Sequence, residues 1–165
     1  MTAVGHAIGY ASLVRRWFQS ARAWLARFPL AIIQLAMRIA VGMVFLNSGL
    51  LKINSWEFAI KLFEDEYKVP LLHPTLAARL ATFNELTFSV LLIAGLATRI
   101  ATLPLLGMIA VIQTFVHPQA WTEHLLWASI LVFILTRGPG ELSLDYLIED
   151  GFPSKSDCPF NRPPL

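Results

Sequence analysis

Four long stretches of the chain are almost free of charge, and short polar segments divide them. The first, about Pro29 to Leu51, is interrupted only by Arg38; the second, about Leu76 to Gly95, contains Glu85; the third, about Ala101 to Val116, is uncharged. The fourth, Leu125 to Thr136, reaches the roughly 20 apolar residues that span hydrocarbon only if it begins near Gln119 and takes in Glu123 and His124. In a bilayer every backbone polar group must be satisfied internally, so stretches of this kind predict helices. The pattern predicts an all-α fold: an integral membrane four-helix transmembrane bundle. A signal peptide is the competing reading of the first stretch, but that stretch starts late, holds an arginine and lacks a small-x-small cleavage site.

A different period precedes the first span. In residues 8–28, Tyr10, Leu13, Val14, Trp17, Ala21, Trp24, Leu25 and Phe28 fall on one helical stripe, with Arg15, Arg16, Gln19 and Arg22 on the rest. This is the pattern of a basic, tryptophan-bearing helix lying in the membrane surface, and the same face would serve to dock a partner. After the first span, Asn54 can cap a helix with Glu57 at the third position. Trp56, Ile60, Phe63 and Tyr67 come next at helical spacing, until Val69-Pro70 and His73-Pro74 break it. The expectation is a short interfacial helix over one mouth of the bundle, with Glu64 to Glu66 facing water. The chain thus divides into an amphipathic surface helix (1–28), a four-span domain (29–148) and a proline-rich cytoplasmic tail (149–165).

Composition supports the bilayer. Of 165 residues 56% are hydrophobic and 15% charged, against roughly 25% charged in soluble domains. The net charge of +2 is too weak and scattered for a nucleic-acid footprint. Cys158 is the single cysteine, which excludes an intramolecular disulfide, a CxxC redox pair and a thiolate cluster. Arginine and lysine set the orientation. Arg15, Arg16, Arg22 and Arg27 precede the first span; Arg99 lies in the turn between the second and third, where Gly95 can end one helix and Pro104 suits the opening of the next; Arg137, Lys155 and Arg162 come after the fourth. With four spans all fall on one side, so both termini are expected to be cytoplasmic.

The polar residues inside the spans carry the candidate chemistry. Arg38, Gly42, Phe45, Gly49 and Lys52 fall within roughly 80° of one another on a helix, placing both cations on a stripe whose small residues admit a neighbouring helix. Glu85, Ser89, Leu92, Leu96 and Arg99 share a stripe of the second span. From the outer boundary, Lys52 lies near the surface, Glu85 roughly 9 Å down and Arg38 roughly 20 Å down. Both cations can lean toward Glu85: Lys52 has the shorter reach, Arg38 the greater need of a partner, because an unpaired central arginine costs about 2.5–3.5 kcal/mol even on the lenient insertion scale. Asn84, Gln113, His117, Glu123 and His124 gather in the outer third of the later spans. Together they suggest a polar pocket opening outward, ringed by Phe45, Phe115, Trp121 and Trp127. In one reading Arg38 and Glu85 are a buried pair that fixes helix register; in the other the pocket, containing Arg38 and Glu85, binds a small amphipathic molecule, such as a quinone-like head group, which Arg38 and Lys52 polarise or anchor while Glu85 orients them or relays a proton, with Glu123 or a histidine as further proton carriers. No metal is expected, since His117, Glu123 and His124 lack a spacing that puts two ligands on one helical face. No GxSxG, P-loop or GxGxxG motif is present.

An arginine and then SGLLK in the first span, NE (Asn84, Glu85) in the second, GLATR at the turn, and RGPGELSLD after the fourth resemble, in that order, the DoxX family of small bacterial and archaeal membrane proteins. The resemblance covers about Arg38 to Asp145 and implies a four-helix membrane bundle in the cytoplasmic membrane. It also implies association with membrane oxidoreductase complexes that handle sulfur or oxidative stress; the family is named for a subunit of a thiosulfate:quinone oxidoreductase. Arg38, Lys52, Glu85 and Arg99 match its recurring charged positions, and Gly49, Gly95 and Asp145 its structural ones. The expected cofactor is a quinone, and the expected partners are the lipid bilayer, a protein of a membrane redox complex and a second copy of the chain. The chain has no redox centre of its own, so electrons would come from that partner. The alternatives are a membrane anchor or assembly subunit for a soluble enzyme, and an oligomeric small-molecule transporter. RGPGELSLD also reads as a plain turn, with Gly138-Pro139-Gly140 ending the fourth helix and Ser143 or Asp145 capping the next segment.

Overall fold

The computed structural model describes residues 15–24, 27–68, 70 and 72–151, and every regular element among them is helical. Residues 15–24 form α1; the later helices are α2 (Leu30–Asn54), α3 (Trp56–Leu62), α4 (Pro74–Ala94), α5 (Thr98–Val111), α6 (Trp121–Arg137) and α7 (Leu144–Gly151). Wider turns, of the i to i+5 kind, extend α3 over Phe63–Tyr67 and α5 over Ile112–Val116. Three helices are long and apolar enough to cross a membrane: Leu30–Asn54, Pro74–Ala94 and Thr98–Val116. The fourth expected span, α6, has 17 residues and is shorter than these.

α2, α4, α5 and α6 pack side by side, α2 against α4, α4 against α5, and α6 against α5 and α2. The stripe read from the α2 sequence is the buried one: Gln34, Arg38, Val41, Gly42, Phe45 and Gly49 all face protein. Glycine matters there for proximity. A Cβ at Gly49 would lie 2.9 Å from Leu86 Cγ and 3.2 Å from Glu85 Cβ, so only a bare α-carbon lets α2 and α4 approach this closely. Val41, Phe45, Leu92, Leu105, Ile109, Leu131 and Ile134 fill the centre. Outward on the same helices lie Ile39, Met43, Phe83, Ile100, Leu103 and Val132, all large, apolar and exposed. That apolar exterior is what hydrocarbon would cover.

A second cluster, Phe63 with Ala77, Ala78 and Ala81, pins the connection after α2 onto the start of α4. The short helix lies where its periodicity predicts, and Glu64, Asp65 and Glu66 are exposed. Its start differs from expectation. α2 runs on through Asn54, and the break falls at Ser55 (φ −132°, ψ 57°), whose side chain makes no capping bond. A continuing apolar helix outweighs the single hydrogen bond that an Asn54 cap would supply. Pro104 is another departure: α5 begins at Thr98, so the proline sits inside the helix. Trp17 and Trp24 are exposed on α1, while the rest of the amphipathic stripe in residues 8–14 and Leu25, and Cys158, Lys155 and Arg162 in the tail, lie outside the described residues.

Candidate functional site

Arg38 and Lys52 share a stripe, but the structure sends them to opposite ends of the bundle. Arg38 is fully buried and donates through Nη1 to Ile93 O at 3.4 Å and through Nη2 to Leu142 O. Among the described residues the salt bridge to Glu85 comes from Lys52. The expected Arg38–Glu85 pair is therefore not formed. Backbone carbonyls freed where α4 ends and where the segment after α6 turns take up Nη1 and Nη2 instead, while Nε, also buried, has no partner among the described residues.

Around Arg38 the GLATR and RGPGELSLD segments lock together. Gly95 ends α4 in the left-handed region (φ 74°), and a Cβ there would collide with Arg38 Nη1 and lie 2.6 Å from Ser143 Cβ. Asp145 spans the gap to the start of α5: its Oδ1 accepts from the Ala97 N–H at 2.7 Å and its Oδ2 from the Thr98 N–H at 2.8 Å. Two orphan donors at the start of α5 are thus met by one anion, which the helix dipole also favours. Ala97 holds a left-handed conformation (φ 46°) within that clasp. Ser143 caps α7, its Oγ accepting from the Tyr146 N–H at 3.2 Å. Gln34 of α2 donates to Gly138 O at 3.2 Å, and Arg99 is exposed beside Gly138. These residues knot the Gly95 end of the bundle.

Lys52 does reach Glu85. Nζ lies 2.8 Å from both Oε1 and Oε2, and donates to Ser48 Oγ at 2.8 Å; Ser48 in turn donates to Oε1 at 3.2 Å. Glu85 is 3% exposed and the Lys52 side chain 14%. All three ammonium hydrogens have acceptors, so the pair is internally neutral. It forms one wall of a cavity of about 570 Å³ that also takes in Phe45, Asn84, His117, Glu123, His124 and Trp127, a size in the range of small-molecule sites. Phe45 meets Trp127 edge-on with ring centroids 6.1 Å apart.

Arg38, expected in the pocket, does not line this cavity, and the other expected site residues sort differently. Gln113 does not line the cavity; its Nε2 donates to Pro118 O at 2.9 Å, leaving Oε1 as an acceptor 2.6 Å from His124 Nδ1. That orientation puts the proton of neutral His124 on Nδ1 and leaves Nε2 as an acceptor. Trp121 (60% exposed) and Phe115 (47%) point away from the cavity, although the ring expected from sequence included both. Ser48 and Tyr67 line it and were not foreseen. Ser48 lies one turn before Lys52, a spacing that could have flagged it. Tyr67 stacks edge-on with Phe63 at 5.0 Å and His117 at 5.9 Å. Burial, then Glu66 and Glu85, raise its phenol above the ordinary tyrosine range, so it stays neutral. Among the described residues no three His, Cys, Asp or Glu side chains gather as metal ligands.

The DoxX family model matches residues 33–118, just over half of the chain and the segment that carries Arg38, Lys52, Asn84, Glu85 and Gly95. The chain belongs to the DoxX family. It is also 30% identical, over 132 residues, to an uncharacterized protein of Haemophilus influenzae, an alignment covering 74% of this chain and 87% of that relative. No solved structure matches the chain. With the three apolar helices, DoxX membership makes this a membrane protein in contact with the lipid bilayer.

Proposed function

We propose that this DoxX protein is a four-span membrane subunit of a quinone-linked oxidoreductase complex, and that its cavity holds the quinone head group. The fourth span is α6, which at roughly 26 Å is close to the hydrocarbon thickness and has Leu125, Leu126 and Val132 exposed on its surface. In the chain, Arg15, Arg16, Arg22 and Arg27 precede α2, Arg99 follows the α4–α5 turn and Arg137 ends α6, whereas Lys61, Lys68 and Arg79 fall in the α2–α4 connection and the start of α4. That bias supports cytoplasmic termini and a cavity toward the outer leaflet.

The observation that carries this reading is a neutralised Lys52–Glu85–Ser48 cluster set in the wall of a cavity lined mainly by apolar and aromatic side chains, with Asn84, His117, Glu123 and His124 as its other polar groups. Such cavities bind amphipathic rings, with a few polar groups fixing orientation. Reduction of a bound quinone takes two electrons and two protons. The electrons come from a partner subunit with its own redox centre, and Glu85 and Glu123 are the carboxyl groups placed to pass protons. Lipid extraction after detergent purification tests this: wild type carries quinone and Glu85→Gln loses it. A protein that never co-purifies quinone from a quinone-rich membrane refutes the reading.

A second reading, an anchor for a soluble enzyme, is favoured by the exposed Trp17, Phe18 and Trp24 of α1 beside its arginines. Deletion of residues 1–27 that abolishes partner binding while quinone is absent would select it.

A further inference from the structure

Leu80, Gly107 and Val111 line the cavity and are also exposed on the outside of α4 and α5; Val44, Leu72, His117 and Glu123 share both properties elsewhere on its rim. Residues with both properties stand at a mouth. α4 and α5 pack together there, and the Asn84 bond to Pro104 O (3.2 Å) closes the mouth on the Gly95 side. The space at Gly107 is open: a Cβ at that position would meet no atom within 4 Å. Leu80 is about 9 Å along α4 from its start, so with α4 spanning the bilayer the opening faces hydrocarbon.

Behind this window Lys52 and Glu85 neutralise each other. What the wall leaves unused is an acceptor. Asn84 Nδ2 donates to Pro104 O, which fixes the amide's orientation; Oδ1 is then buried and has no partner among the described residues. Buried acceptors are rarely left unpaired, and a donor that reaches one removes a penalty as well as forming a bond.

We propose that the cavity fills sideways from the bilayer, through the window at Leu80, Gly107 and Val111, with an uncharged amphiphile. Its hydroxyl donates to Asn84 Oδ1 and its apolar tail lies in the window. This rests on the reading that the cavity holds a quinone-like head group, and it selects the hydroxyl-bearing, reduced form over any anion.

The test uses the full chain in nanodiscs under anaerobic conditions, with tritiated decylhydroquinone, tail-less hydroquinone and the dimethyl ether of decylhydroquinone as probes. Wild type is expected to bind decylhydroquinone about tenfold more tightly than its ether, and Asn84→Leu to bring the two within about twofold. Gly107→Phe is expected to weaken decylhydroquinone at least about tenfold while leaving tail-less hydroquinone within about twofold. Val111→Phe replaces it if Gly107→Phe loses helical content. Decylhydroquinone bound equally by wild type and the plugged variant, or a hydroxyl preference that survives Asn84→Leu, overturns the inference and leaves the cavity reading intact. If wild type binds none of the three probes, both fall.

Discussion

Two glycine-to-alanine substitutions, chemically identical, should move stability in opposite directions. At Gly95 the added methyl meets a left-handed backbone (φ 74°), the Arg38 guanidinium, and Ser143 Cα at 3.0 Å. The backbone conformation alone costs an alanine about 1–2 kcal/mol. Arg38 is fully buried and has no solvent to swing into, and each bond it gives up to Ile93 O or Leu142 O is worth about 1.5–3 kcal/mol because the donor is charged. Surrendering one bond makes the loss roughly 3 kcal/mol or more. For a chain of this size that is a fall in Tm of about 6 °C or more. At Gly107 the same methyl enters open space within α5, where alanine gains up to about 1 kcal/mol of helix propensity. Thermal unfolding of the detergent-solubilised protein, tracked by loss of the monodisperse chromatography peak, reads both. A Gly95→Ala protein melting within about 2 °C of wild type would refute the Arg38 lock.

The same contacts set other outcomes. Asp145→Ala frees the Ala97 and Thr98 N–H groups at the start of α5; the expected loss is about 1–3 kcal/mol in the same melting assay, and Asp145→Asn, which keeps one acceptor, should lose about half of that. Lys52→Leu strands the Glu85 carboxylate in the interior, which costs roughly 3 kcal/mol or more. Glu85→Leu should cost less, because Lys52 near the helix end can turn its ammonium toward the headgroups, and the double variant should melt above Lys52→Leu. Tyr67 should ionise above the ordinary tyrosine range in an ultraviolet titration differenced against Tyr67→Phe. Removing a neighbouring negative charge with Glu66→Gln should lower that ionisation.

The apolar stretches were legible because hydrocarbon imposes a length and a composition on whatever crosses it. Three of the four expected helices reach that length, and the buried face of α2 is the stripe its periodicity defines. Pairing was legible only in part: depth left both Lys52 and Arg38 able to lean toward Glu85, and the structure pairs it with Lys52. The Arg38 partner could not be read from residue types. Its acceptors are main-chain oxygens of Ile93 and Leu142, supplied by the ends of other elements, and any residue type carries a carbonyl. The same blindness applies to Asp145, which looked like a cap for the helix it begins and instead caps α5, 47 residues earlier in the chain at Thr98. Trp121 was drawn into the pocket by its type and depth, yet one residue of helical rotation decides which way a ring faces, and here it faces out.

Two cations of α2 divide the labour: Arg38 holds the fold and Lys52, through Glu85, shapes the cavity. The quinone extracted per chain from wild type, Glu85→Gln and Asp145→Ala, each purified from the same quinone-rich membrane, tests it most directly. Near-stoichiometric quinone is expected in wild type and in the folded fraction of Asp145→Ala, and a small residue of it in Glu85→Gln at unchanged helical content. Equal quinone in Glu85→Gln and wild type, or its loss from well-folded Asp145→Ala alone, would contradict it.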